Sequence, residues 1–158
     1  MATSRVPAAI DVLVTRWTAL PALSGVLVLD GPTVDDLTKV HDLIFVGWQP
    51  NNENGLAVEM AQEFAHIGGY TRNERFDVLC FAEAWTGDFD IKARRARAFE
   101  LFAACENDLR ASLASPAAPN LGGAVLFSGI TQGQLLQQQT DKGATVGIAF
   151  RVSCEARI

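Results

Sequence analysis

The last fifteen residues, Ala144 to Ile158, alternate without a break. Val146, Ile148, Phe150, Val152, Cys154, Ala156 and Ile158 occupy one set of positions, and Thr145, Arg151, Ser153, Glu155 and Arg157 fall between them. A period of two is that of a half-buried β-strand. At about 3.3 Å per residue the run spans roughly 50 Å, against the ~5–6 residues of an ordinary strand. Its length exceeds what the sheet of one small domain requires, which predicts a strand reaching past its own core and a chain that works as part of an assembly. Gly147, inside the run, is expected to be a bend.

A chain of 158 residues suits a single domain over 1–158, and folding at that size buries on the order of 70% of the unfolded chain's surface. Apolar residues make up 49% and charged residues 20%, which excludes wholesale disorder. No run approaches the roughly 20 apolar residues of a membrane span. The start, Met1 to Pro7, has no apolar signal core, so secretion by that route is not expected. The net charge of −5 is unevenly placed: residues 30–63 hold Asp30, Asp35, Asp36, Asp42, Glu53, Glu59 and Glu63 against Lys39 alone. Such a stretch repels nucleic acid.

Val6, Ile10, Leu13, Val14, Trp17 and Leu20 recur at helical spacing over residues 4–20, with Ser4 as a candidate N-cap and Pro7 tolerable in the first turn. Short apolar strands follow at 26–30 and 42–47, then a loop at 50–55. Residues 56–67 fit either a helix or a strand, and Gly68-Gly69 ahead of the alternating run Arg75 to Trp85 favours a β-hairpin. A long helix is predicted from Asp88 to Leu113, with Ile91, Ala98, Phe102, Cys105, Leu109 and Leu113 as its buried stripe and Asp88 as its cap. Residues 123–128 read as a strand and 133–143 as a polar return ahead of the terminal strand. The order predicts an α+β fold in which two helices pack on one face of a mainly antiparallel sheet, with a long projecting hairpin.

Candidate chemistry is sparse. Glu63-Phe-Ala-His66 is a Glu-x-x-His, and Glu59, Glu63 and His66 share a face if the segment is helical. A di-iron bundle needs two such motifs, and a strand would separate the histidine from the acids. The serines lack a nucleophile-elbow context. Cys80, Cys105 and Cys154 all lie in apolar periodic segments, as buried reduced thiols do. Lys92, Arg94, Arg95 and Arg97 form the one basic cluster, either a solvated helix face paired with Glu100, Glu106 and Asp108 or a docking patch for an acidic neighbour.

With these residues in view, the chain resembles the tail terminator (tail completion) proteins of long-tailed bacteriophages. The resemblance rests on Ile10-Asp11-x-Leu13-Val14 in the first helix and on Pro21-Ala-Leu-x-Gly25-Val26-x-Val28-x-Asp30-Gly31-Pro32. It continues through Arg72-x-Glu74-x-Phe76-x-Val78, Ala84-Trp85-Thr-Gly-Asp88-x-Asp90 and Leu121-Gly-Gly-Ala-Val-Leu126, and closes with the terminal strand. The resemblance implies a structural virion protein without catalysis, cofactor or metal. Such a protein forms a ring, commonly a hexamer, on the last ring of the tail tube, ends tube polymerisation and joins the tail to the head connector. Its partners would be its own copies, the tube protein and the connector or neck protein, with genome DNA passing through without specific binding and no membrane involved. It would sit in the virion at the tail-to-head junction, after synthesis in the bacterial host cytoplasm.

On this reading Arg94, Arg95, Arg97, Arg151, Glu155 and Arg157 are candidates for subunit or partner contacts, and Asp35, Asp36, Glu53, Glu59 and Glu63 are candidates for an acidic lumen that DNA does not stick to. Head-tail connector or neck adaptor proteins share a similar plan. A small metal or thiol enzyme is the alternative from a different class.

Overall fold

A computed structural model describes residues 2–158. Helix α1, Val6–Ala19, carries Pro7 in its first turn and is followed by the turn Pro21–Leu23. Ala9, Leu13 and Trp17, spaced by four, are its buried side. Strand β1 is Leu27–Asp30, β2 Asp42–Val46, β3 Val58–Phe64 and β4 Arg72–Trp85. Helix α2, Ile91–Leu109, precedes a 3-10 segment at Ala118–Gly123 and the paired strands β5, Phe127–Thr140, and β6, Gly143–Arg157.

The six strands form one sheet in the order β1-β2-β4-β6-β5. Only β1 with β2 is parallel. Strand β4 is shared along one edge: β2 pairs with its end, Cys80 to Ala84, and β3 with its beginning, Arg72 to Val78. Along the other edge β6 pairs with β4 from Asn73 to Trp85.

Alternation sorts the two faces. Phe76, Val78, Cys80, Ala82 and Ala84 of β4 and Val146, Ile148, Phe150, Val152 and Cys154 of β6 are buried under α1 and α2. The opposite face carries a smaller cluster, Leu43, Phe45, Phe81 and Ala149, covered in part by Leu37, Val40 and Trp48. The α+β architecture expected from the element order is therefore observed, with both helices on one face.

Four expectations need correction. First, β6 does not run past its core: β4 flanks it on one side and β5 on the other for essentially its whole length. The polar segment 133–143 supplies the missing partner, because its glutamines belong to β5 and are not a return loop. Second, Gly147 is not a bend. The ring of Phe81 lies over it, and a Cβ there would stand 2.2 Å from the ring. Third, α2 starts one residue after its cap Asp90, whose carboxylate accepts the Ala93 N–H at 3.0 Å, and it stops at Leu109. Leu113 lies beyond the helix, fully exposed. Fourth, the strand expected at 123–128 starts only at Phe127, residues 118–123 being 3-10.

Within the segment 56–67, Val58–Phe64 resolves as strand, and β3 and β4 form a hairpin. Arg72 exchanges backbone hydrogen bonds with Ile158 at 2.7 and 3.0 Å, so the turn at residues 65–71 stands beyond the end of β6.

Gly147→Val is expected to lower stability by about 1–3 kcal/mol through overpacking against Phe81. Chemical denaturation checks this, and adding Phe81→Ala should make the valine better tolerated. Unchanged stability in the single variant would refute the account of Gly147.

Candidate functional site

The polar side chains on the open face of β6 are engaged inside the subunit. Arg151 pairs with Glu59 of β3 and lies 3.6 Å from Asp77 of β4, whose carboxylate also accepts the Ser153 hydroxyl. Arg75 reaches Glu155 at 3.5 Å, and Arg157 donates to Asn73 at 3.3 Å. These cross-strand pairs tie β3, β4 and β6 together, though each is worth at most about 1 kcal/mol at a solvated surface.

The basic cluster on α2 is likewise fastened within the chain. Arg97 bonds Asp42 of β2 and Glu100, each at 2.9 Å; Arg94 lies 3.5 Å from Asp88; Arg95 donates to Gln137 of β5 at 3.0 Å. Arg16 joins α1 to the end of α2 through Asp108 at 3.1 Å and through the carbonyls of Asp108 and Ala118. Thus the six candidate contact residues fall into two groups, three on α2 and three on the far face of β6, and each has a partner in its own subunit.

The five acidic candidates are exposed but not gathered into one cluster. Asp35 and Asp36 lie in the loop between β1 and β2, where Asp36 accepts the Thr38 N–H and is held below the usual carboxylate range by that bond. Glu53 is in the loop after β2, and Glu59 and Glu63 share the open face of β3. His66 sits in the hairpin turn, so Glu59, Glu63 and His66 do not converge. Among the described residues no three of His, Cys, Asp and Glu come together as metal ligands, and no helix is long and apolar enough to cross a membrane.

All three thiols are free and buried. Burial pushes Cys80 and Cys154 up to about 12 and raises Cys105 as well, which removes the thiolate that nucleophilic chemistry needs.

Glu74 is a polar group that sequence reasoning passed over. It is fully buried on the helix face of β4, where it accepts the Arg5 N–H at 2.7 Å and the Gln62 amide at 2.9 Å. Burial works against its charge, but the bonds from Arg5, Ser4 and Gln62 outweigh it and hold the carboxyl below its ordinary range. Its role is to lock the start of α1 onto the hairpin.

Single apolar side chains such as Val34, Leu113, Leu126 and Phe127 are exposed around the subunit, and two apolar surfaces are more extended. The hairpin end exposes Met60, Phe64, Ile67 and Tyr70, with Ile67 at 104% and Tyr70 at 95% of full exposure. Arg72 caps this end, its guanidinium 5.2 Å from the centre of the Phe64 ring. The second surface is a groove of about 440 Å³ on the open face, walled by Leu37, Val40, Leu43, Trp48, Phe81 and Trp85. Trp48 is held there by Phe45 and Phe81, with ring centres 4.6 and 6.2 Å away, and Gln49 anchors the loop by donating to the carbonyls of Cys80 and Phe150.

Glu83 lines this groove, and desolvation raises its pKa. Among the described residues it has no ion pair. The signal for the groove was present in the sequence: Phe81 and Trp85 are apolar at positions that should face water if the run 75–85 were buried on one side alone.

No protein-family model matches the chain, and no curated protein matches its sequence.

Two outcomes follow from these environments. Because the folded Glu74 titrates below the ordinary glutamate value of 4.5, its contribution to stability is complete above that value and is lost as pH falls through the lowered one. Glu74→Gln should therefore destabilise by about 1–3 kcal/mol at neutral pH, with the gap to wild type closing in acid; denaturant midpoints measured across pH test the sign. A disulfide-exchange reagent should titrate the native thiols only as fast as the protein unfolds, and rapid reaction of any thiol in the native state would contradict their burial.

Proposed function

We propose that this chain is a structural virion protein of a long-tailed bacteriophage, a tail terminator that closes the tail tube with a ring of its own copies and joins the tail to the head connector. The observation that carries the reading is the uncovered apolar end of the β3–β4 hairpin, where Ile67 and Tyr70 are held fully in water. Exposed apolar clusters of this kind mark interaction sites. The resemblance supports it through Ile10 to Val14 in α1, Pro21 to Pro32 through β1, Arg72 to Val78 in β4, Ala84 to Asp90 leading into α2, Leu121 to Leu126 before β5, and the terminal strand β6.

A ring follows from a heterologous contact that closes by rotation. The exposed acids Asp35, Asp36, Glu53, Glu59 and Glu63 suit a channel through which DNA slides without sticking, with Glu59 already partly neutralised by Arg151. In this role the protein acts in the virion, at the tail-to-head junction, with the tube protein and the connector as its neighbours.

Native mass measurement, with the protein alone and with purified tube protein, tests the proposal. Closed multimers that bind tube ends and arrest tube growth are expected. A strict monomer that never joins tube ends would sink it, and recovery with filled heads instead of isolated tails would move the protein to the neck.

A further inference from the structure

Two of the uncovered apolar surfaces of this subunit, the hairpin end and the groove, are complementary to each other, and one strand carries both. The hairpin end offers Ile67 and Tyr70 beside the guanidinium of Arg72. The groove offers an apolar trough with the lone carboxylate of Glu83 in its wall. Shape and charge thus match in kind: a protruding apolar pair with a cation, and a recess with an anion.

A subunit cannot satisfy itself. Arg72 opens β4 and Glu83 lies eleven positions further along the same strand, roughly 35 Å away in extended chain. Two different patches at opposite ends of one rigid strand define a head-to-tail contact, the kind that repeats from copy to copy and closes into a ring when its rotation allows.

We propose that the hairpin end of one subunit, Ile67 and Tyr70 with Arg72, inserts into the Glu83-bearing groove of the next copy of this chain, and that this contact builds the ring. The inference rests on the ring reading above and names the surfaces that make it. The groove is to be filled by the neighbouring Ile67 and Tyr70 side chains, and Glu83 gains a cation where its own subunit supplies none.

The test uses the full-length protein with two variants. Ile67→Asp with Tyr70→Asp spoils the protruding patch at positions that touch little else, and Glu83→Arg spoils the recess. Each alone should assemble at least about tenfold more weakly than wild type in light scattering over a dilution series. Mixed in equal amounts they should form a dimer that grows no further, because one intact groove meets one intact hairpin end. As a check independent of variant folding, Tyr70→Cys combined with Thr38→Cys, the latter lining the groove, should give a ladder of disulfide-linked multimers under mild oxidation. Wild type, with its three thiols buried, should give none. Wild-type multimers with variants that assemble equally well and paired cysteines that never cross-link would overturn the contact and leave the ring standing. Wild type that caps tubes as a monomer, with no cross-link on the tubes, would also overturn it, whereas a monomer that ignores tubes would remove both readings.

Discussion

The pairing of β4 with β6 from Asn73 to Trp85 sets the geometry of the whole subunit. It sets the register that places Phe76, Val78 and Cys80 alongside Cys154, Val152 and Phe150 on the helix face. A slip of β6 by one residue would turn Cys154, Val152 and Phe150 outward. The same pairing brings Phe81 over Gly147, where the absence of a side chain lets the ring lie close to the backbone. Both helices dock on the surface so made, and both hairpins grow from it.

Asymmetry along the other edge of β4 determines what the molecule leaves open. One long strand serves two short partners, β2 at its end and β3 at its beginning. Near β2 the open face needs cover because Leu43, Phe45 and Phe81 are apolar, and the loops after β1 and β2 bring Leu37, Val40 and Trp48 only partway over them. Near β3 the open face is polar and needs no cover, since Arg151, Glu59, Asp77 and Ser153 satisfy one another. The groove is the unfilled remainder of the first region, and past Ile158 the hairpin runs on without β6 beside it.

Much of this fold was legible in the residues, and the misses have physical causes. Alternation in 75–85 and 144–158 reads directly as strands because each has a fully buried face. Strand β5 was hidden because it is an edge strand with few buried positions, so glutamines can occupy both of its faces and leave no period to detect. Missing β5 made β6 look too long for its domain; once β5 is in place, the apparent surplus is ordinary pairing. The candidate contact residues were chosen for charge, and in the structure that charge is spent on neighbouring strands and helices. The apolar hairpin end was passed over because Phe64 and Ile67 read equally well as one buried face of a helix, and Tyr70 lies in the turn.

The unbroken course of β4 also has a mechanical meaning. Its backbone hydrogen bonds to β6 lie across the strand, so a pull applied at the hairpin end loads the entire set in shear and cannot peel them apart one at a time. Force entering at residues 65–71 reaches the groove wall with little stretch between. A closed chain of such subunits would behave as a stiff hoop, its resistance to bursting set by one long strand in each link.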